Sequence, residues 1–174
     1  MELVDLLPVE KWLELEKDIF NRSGLASNVF NVSGIRITDY KEWVNRLCPS
    51  IKADDRGQSF ICAVAHMNIA GMAKERRKAV VGECDAGLLK LVVPIFVNGN
   101  FLGAVGACGL LLEDSDVDSF MINRTIEMDD NTISELSEGI KRMKEEEIEK
   151  LGNYIAERID IIVKDFEKQG GKSD

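Results

Sequence analysis

The segment from residue 83 to residue 112 constrains the fold more than any other part of the chain, because it predicts a long β-hairpin. Two apolar runs, residues 88–97 and 101–112, flank the dipeptide Asn98-Gly99. Asn-Gly between two apolar runs is the strongest short-range hairpin signal that a sequence offers. Pro94 lies in the first run and favours an edge position or a bulge over a regular central strand.

Three glycines follow one another at every third position of the second run: Gly103, Gly106 and Gly109. Side chains alternate between the faces of a strand, so this spacing places glycines on both faces of the sheet. Two interpretations remain open. The glycines make room for close packing in a curved sheet, or they form a floor beneath a bound ligand.

Hydrophobic periodicity and turn residues predict the elements around the hairpin. Helices are predicted over 8–23, 39–47, 58–78 and 117–123, strands over 25–32, 35–38 and 80–84, and a charged loop over 51–57. Cys48-Pro49 is expected to end the helix over 39–47, because a proline disfavours helical geometry in the residue before it. The pattern predicts an α/β (α+β) fold with an antiparallel sheet and flanking helices.

The last segment has apolar residues at steps of three and four from Ile133 to Phe166. This stripe predicts an amphipathic helix of about 34 residues and roughly 50 Å. We therefore divide the chain into a domain over 1–128 and a long helix over 129–170. A domain of this size is not expected to cover so long a stripe, which favours a homodimer through the helix. Alternatively, Gly139 and Gly152 split it into two packed helices.

Charge and cysteine content exclude several classes of protein. The net charge of −9 over 174 residues argues against nucleic acid as a partner, since phosphate binding requires clustered Lys and Arg. No apolar run reaches the roughly 18–20 residues of a membrane span, and no basic segment of a signal peptide follows Met1. Four cysteines without a secretory context predict a reducing, cytoplasmic location.

The candidate site residues are the four cysteines, the single histidine and one aspartate. Cys62 and His66 are four residues apart on a predicted helix and so share a face. The remaining candidates for ligand binding are Cys48, Cys84, Asp85 and Cys108. An alternative interpretation is a zinc ion or iron–sulfur cluster held by Cys48, Cys62, Cys84 and His66, although the spacings match no known zinc ribbon. The competing interpretation is that the cysteines are small apolar packing residues.

Enzyme motifs are missing from the sequence. There is no nucleophile elbow, phosphate-binding loop or zinc-protease motif, and one histidine leaves no catalytic triad. A Cys84 nucleophile assisted by Asp85 and His66 is conceivable but unsupported. We therefore expect a protein that is not an enzyme.

The residues around the hairpin resemble those of a known family. Cys48, Cys62, the motif CDAGL at 84–88 and the motif VPIFVNGNFLG at 93–103 resemble the PocR-type sensory domain. The resemblance implies a PAS-like fold that senses small organic molecules such as simple diols, and that acts with a signalling partner. The family usually has a histidine after the third cysteine, where this chain has Asp85.

Together these observations predict a cytoplasmic, non-catalytic, ligand-sensing module that binds a small organic molecule in a cysteine-lined pocket. The identity of the ligand is left open. A redox or metal sensor and a pure dimerisation scaffold are the other hypotheses.

Overall fold

The computed structural model describes residues 1–170, and its centre is a four-stranded antiparallel sheet. The strands are β1 (Ala26–Asn31), β2 (Val80–Glu83), β3 (Leu89–Val97) and β4 (Asn100–Cys108), in the order β1-β4-β3-β2. The predicted hairpin is β3–β4. Asn98 and Gly99 have φ values of 48° and 80°, as a tight hairpin turn of this type requires. The predicted antiparallel sheet with flanking helices is confirmed.

Pro94 lies in an inner strand, yet at a point where the ladder tolerates it. Strand β2 pairs with β3 only as far as Val92, so Pro94 has a neighbouring strand on one side alone. The register also shifts between Ile95 and Phe96. A missing backbone N–H therefore costs little at this position.

The helices surround the sheet and a short parallel strand pair. They are α1 (Leu3–Leu6), α2 (Val9–Ser23), α3 (Leu47–Ala53), α4 (Asp55–Gly57), α5 (Val64–Arg76), α6 (Ser119–Ile126), α7 (Asp130–Ser137) and α8 (Glu145–Gly170), with a π-helical segment Gln58–Ala63 before α5. The strand pair is β5 (Leu111–Leu112) with β6 (Arg142–Met143).

Three local predictions between residues 35 and 57 are wrong. The helix over 39–47 is absent, and α3 instead begins at Leu47 and runs through Cys48-Pro49 into the predicted charged loop. Proline is tolerated in a first helical turn because its missing N–H would have no partner there. The Oδ1 of Asn45 accepts a hydrogen bond from the Cys48 N–H at 2.7 Å, which caps this turn. The strand over 35–38 is reduced to one bridge, between Phe30 and Arg36.

The C-terminal helix is shorter than predicted. Helix α8 has 26 residues, and a separate α7 precedes it. Gly139 has a φ of 76°, a left-handed conformation that interrupts the helix between them. Ile148, Ile155 and their apolar neighbours in α8 are buried in the domain's own core, so most of the stripe needs no second chain to cover it. Homodimerisation therefore stays a prediction. No helix among residues 1–170 is both long and apolar enough to cross a membrane.

The sheet has two faces of different composition. Its closed face carries Val29, Leu91, Val93 and Val105, which belong to one apolar core with α1, α2 and α8. Its open face carries Ala26, Asn28, Phe30, Lys90 and Cys108, the alternate residues of the same strands. Helices α3 and α5 and the π-helical segment cover this open face.

Candidate functional site

A cavity of about 230 Å³ lies between the open face and the layer formed by α3, the π-helical segment and α5. Asn28 and Phe30 of β1 and Lys90 of β3 line one wall, and Lys52 of α3 and Ala65 of α5 line another. A cavity of about 150 Å³ is enough to hold benzene. This cavity is therefore large enough for a small organic molecule.

Five of the six predicted site residues lie on this cavity. Cys48, Cys62, His66, Cys84 and Cys108 all line it, although they come from four different elements and one loop. Asp85, the sixth, has an exposed side chain and is not among the lining residues. Whether any of them contacts a ligand stays a prediction.

Three thiols of the cavity, those of Cys48, Cys62 and Cys84, are neutral near pH 7. Burial raises the pKa of Cys48 to about 12 and that of Cys84 to about 11, and it also raises the pKa of Cys62. The Nδ2 of Asn45 donates a weak hydrogen bond to the Cys48 sulfur at 3.3 Å. Because the thiolate is the nucleophile and the metal ligand, these side chains act as small apolar groups in the absence of a metal.

The zinc or iron–sulfur alternative receives no support from the geometry. Within residues 1–170, no group of three or more His, Cys, Asp or Glu side chains is arranged to hold a metal ion. All four cysteines are free thiols. The cavity brings Cys48, Cys62, Cys84 and His66 onto its walls without converging them on one point.

His66 is the most unusual polar group of the cavity. Its side chain is buried, and its ring stacks on Phe30 with a centroid distance of 3.7 Å and an interplanar angle of 30°. Its Nδ1 atom is buried and has no hydrogen-bond partner among the described residues. Burial, helped by the charges of Lys90 and Arg36, lowers the pKa of His66 to about 3. The imidazole is therefore neutral and has an unused polar atom.

Sequence reasoning missed the cationic residues of the cavity. Arg36, Lys52 and Lys90 line it beside the cysteines, and Lys90 is only 8% exposed. The signal for Lys90 was present, because it is the single charge in the apolar run of β3. Arg36 and Lys52 do not lie in an apolar run of this kind. Both lie in segments for which the predicted structure is wrong, the strand over 35–38 and the loop over 51–57.

The two glycines at the ends of the spaced series make room for the protein's own atoms. A Cβ on Gly103 would lie 2.1 Å from the backbone oxygen of Phe30, and one on Gly109 would lie 2.5 Å from a methyl group of Val44. Both have positive φ values, of 153° and 107°. The glycines therefore serve close packing, although Gly109 also reaches the cavity wall.

The fold and the cavity define a mixed α/β domain with a ligand-sized space on one face of its sheet. The family model described as the sensory domain found in PocR matches residues 5–166 of the chain. The chain belongs to this family, which confirms the resemblance seen in the sequence and makes it a sensory module of signal transduction. No curated protein and no solved structure matches the chain significantly.

Proposed function

We propose that this domain binds a small organic molecule in the cavity on the open face and passes the binding event to a partner as a conformational change. The observation that carries this proposal is the cavity together with the unpartnered Nδ1 of His66. A buried polar atom without a hydrogen bond costs about 1–3 kcal/mol. A ligand that hydrogen-bonds to His66 would recover that cost.

The role of the cavity is binding rather than catalysis. A nucleophilic thiol needs a lowered pKa, whereas burial raises the pKa of Cys48, Cys62 and Cys84. A general base works best with a pKa near the working pH, and the pKa of His66 lies far below it. At neutral pH these thiols are therefore poor nucleophiles, and His66 is a poor general base.

Strand β3 offers a physical route from the cavity to helix α8. Lys90 points to the open face, while its neighbour Leu91 belongs to the core on the closed face. A Leu91 methyl group lies 3.5 Å from where a Cβ on Gly152 of α8 would be. Movement of β3 on ligand binding would therefore displace α8 through this contact. Such a movement requires that the ligand bind two conformations of the domain with different affinity.

Helix α8 passes its displacement to a second protein that contacts its outer side. Ile161, on the outer side of α8, is 46% exposed and offers an apolar contact for a second subunit or a separate signalling partner. We place the activity in the cytoplasm, because the four cysteines, all of them free thiols, suit a reducing compartment.

A thermal-shift screen tests the proposal. The wild-type protein is heated with diols, small acids, amines and tetrapyrroles. A ligand at 100 times its Kd stabilises the fold by about 2.7 kcal/mol, which corresponds to a rise in Tm of several degrees. If no compound raises the Tm of the wild-type protein, the proposal is wrong.

Two variants at one position locate the binding site. Cys108→Leu fills part of the cavity, whereas Cys108→Ala enlarges it at the same point. We expect the Leu variant to lose the ligand-induced rise in Tm and the Ala variant to keep it. A rise that persists in Cys108→Leu would place the ligand elsewhere.

A further inference from the structure

Positive charge gathers at this cavity in a protein that is acidic overall. Four cationic residues line it, namely Arg36, Lys41, Lys52 and Lys90, against a single carboxylate, the exposed Glu42. The whole chain has a net charge of −9. The local charge is therefore opposite in sign to that of the molecule.

Three of these cations, Arg36, Lys52 and Lys90, are at least half-buried and have no counterion of their own among the described residues. Among residues 1–170, no carboxylate lies within 4.0 Å of the charged groups of Arg36, Lys52 or Lys90. Glu16 is near Arg36, but its oxygens already accept hydrogen bonds from the Val29 N–H and the Thr38 hydroxyl. Lys90 is buried, and Arg36 and Lys52 are half-buried. Removing a charge from water without a partner is costly, so an arrangement of this kind favours an external anion.

Arg36 and Lys90 also converge on one aromatic ring. The guanidinium carbon of Arg36 lies 6.0 Å from the centroid of Phe30, and the Lys90 nitrogen lies 5.8 Å from it. Phe30 in turn stacks on His66. The cations therefore lie around the same Phe30–His66 pair rather than pointing to separate parts of the surface.

We propose that the ligand of this cavity is a small organic anion whose carboxylate or phosphate head group is bound by Arg36, Lys52 and Lys90. This inference rests on the proposed function and specifies the chemistry of its ligand. Arg suits both head groups, because its planar fork of N–H donors matches two oxygens.

The remainder of the cavity fits an apolar body attached to the anion. Phe30, Val44, Leu88 and the cysteine side chains supply apolar walls. The volume of about 230 Å³ admits a short alkyl or a single-ring skeleton. A second, shallower pocket shares Arg36, Lys41 and Lys52 with the cavity and has no acidic lining residue. Positive charge on these shared residues would draw anions towards the cavity.

Matched ligand series test this inference. Each series places a carboxylate, a phosphate monoester, a primary amide, an alcohol and an amine on the same propyl, hexyl or benzyl skeleton, and the Tm of the full chain is measured with each compound. We expect the carboxylate or the phosphate to give the largest rise within its series, and the comparison between the two identifies the head group. Rises that weaken with added NaCl would agree with an ionic contact.

Three variants separate the anion site from general effects of charge. Lys90→Met and Arg36→Gln should each weaken binding of the best anion by about tenfold or more, because a hydrogen bond to a charged group is lost. Lys74→Met is the matched control, since Lys74 lies over the Phe101 ring, away from the cavity, and should leave the affinity unchanged. Two different inner variants keep the test valid if one fails to fold.

The outcomes distinguish this inference from the proposed function beneath it. If alcohols, amides or amines bind as tightly as the anions, or if neither Lys90→Met nor Arg36→Gln weakens anion binding, the inference is wrong while the sensing proposal stands. If no compound of these series raises the Tm but a compound of the wider screen does, the inference is wrong and the sensing proposal stands; if no compound of either set raises the Tm, both fail.

Discussion

The two faces of the central sheet are built from alternate residues of the same strands, yet they have opposite characters. On the closed face, Val29, Leu91 and Val105 lie in a continuous apolar core. On the open face, Lys90 and Cys108 line a cavity with other polar groups. Alternate residues of one strand therefore serve different purposes in this domain: those on one face stabilise the core, and those on the other line the cavity.

The faces also differ in how they treat buried polar atoms. Glu16, which lies against the closed side, is fully buried, and its carboxylate accepts hydrogen bonds of 2.7 Å and 2.6 Å. His66, on the open side, is also buried but leaves its Nδ1 without a partner among the described residues. A satisfied polar group contributes to folding, whereas an unsatisfied one lowers stability until a partner reaches it.

The largest expected effect comes from adjacent residues on β3. Leu91→Ala should lower the free energy of unfolding by about 2–5 kcal/mol, because it leaves a cavity in the closed core. Lys90→Met should change it by less than about 1 kcal/mol, since an unpaired, nearly buried cation is replaced by an apolar chain of similar length. Urea denaturation of both variants measures the difference, and equal losses would contradict the division between the faces.

Removal of the Glu16 side chain should also be costly. Glu16→Ala leaves the Val29 N–H and the Thr38 hydroxyl without their acceptor, and we expect a loss of about 3 kcal/mol for these two hydrogen bonds. Glu16→Gln keeps one acceptor oxygen and should lose less. Denaturation of the two variants side by side checks the order, and a larger loss for Gln than for Ala would disprove this role of the carboxylate.

The protein should lose stability in mild acid because of His66. Its folded pKa of about 3 lies below the ordinary value of 6.5, so the unfolded chain binds the extra proton between these pH values. Stability is therefore intact above pH 6.5 and falls as the pH decreases, by about 2 kcal/mol at pH 5. Denaturation curves at pH 7 and pH 5 measure this loss.

A variant without the titrating group isolates the contribution of His66. His66→Phe keeps the aromatic contact with Phe30 and removes the imidazole. We expect this variant to lose about 2 kcal/mol less than the wild-type protein between pH 7 and pH 5. If both proteins respond to pH in the same way, His66 is not held neutral in the folded state.

The smallest expected effect concerns the buried thiols, and it is measured as a rate of alkylation rather than as a change in stability. With pKa values of about 12 and 11, Cys48 and Cys84 should react with iodoacetamide at pH 8 at least roughly a hundredfold more slowly than an ordinary thiol. In denaturant, all four cysteines should react at the ordinary rate. Fast alkylation of either residue in the folded protein would show that burial does not suppress its thiolate.

The sheet could be predicted from the sequence because its signals are local. Asn98-Gly99 fixes the hairpin turn, and the apolar runs on both sides form strands of nine residues each. The segment from 35 to 57 could not be predicted in the same way. Pro49 is compatible both with the end of a helix and with its first turn. The first turn forms where the Asn45 side chain accepts a hydrogen bond from the Cys48 N–H and donates one to the Gly109 carbonyl, 64 residues away.

The candidate site was predictable in its cysteines but not in its charges. Cys62 and His66 share a helical face, and the family motif includes Cys48 and Cys84. Arg36 and Lys52 reach the cavity only through loop and helix placements that depend on tertiary contacts. Lys90 could have been found, since a charge in the middle of an apolar strand needs a polar environment on one face.

Methyl-resolved NMR during titration with the best-binding carboxylate tests the division between the faces most directly. We expect the resonances of Val44 and Leu88, which line the cavity, to change from the first additions. Those of Val29 and Val105, in the closed core but on strands other than β3, should change far less. Changes centred on Val29 and Val105, or spread evenly over both sets, would contradict the assignment of binding to the open face.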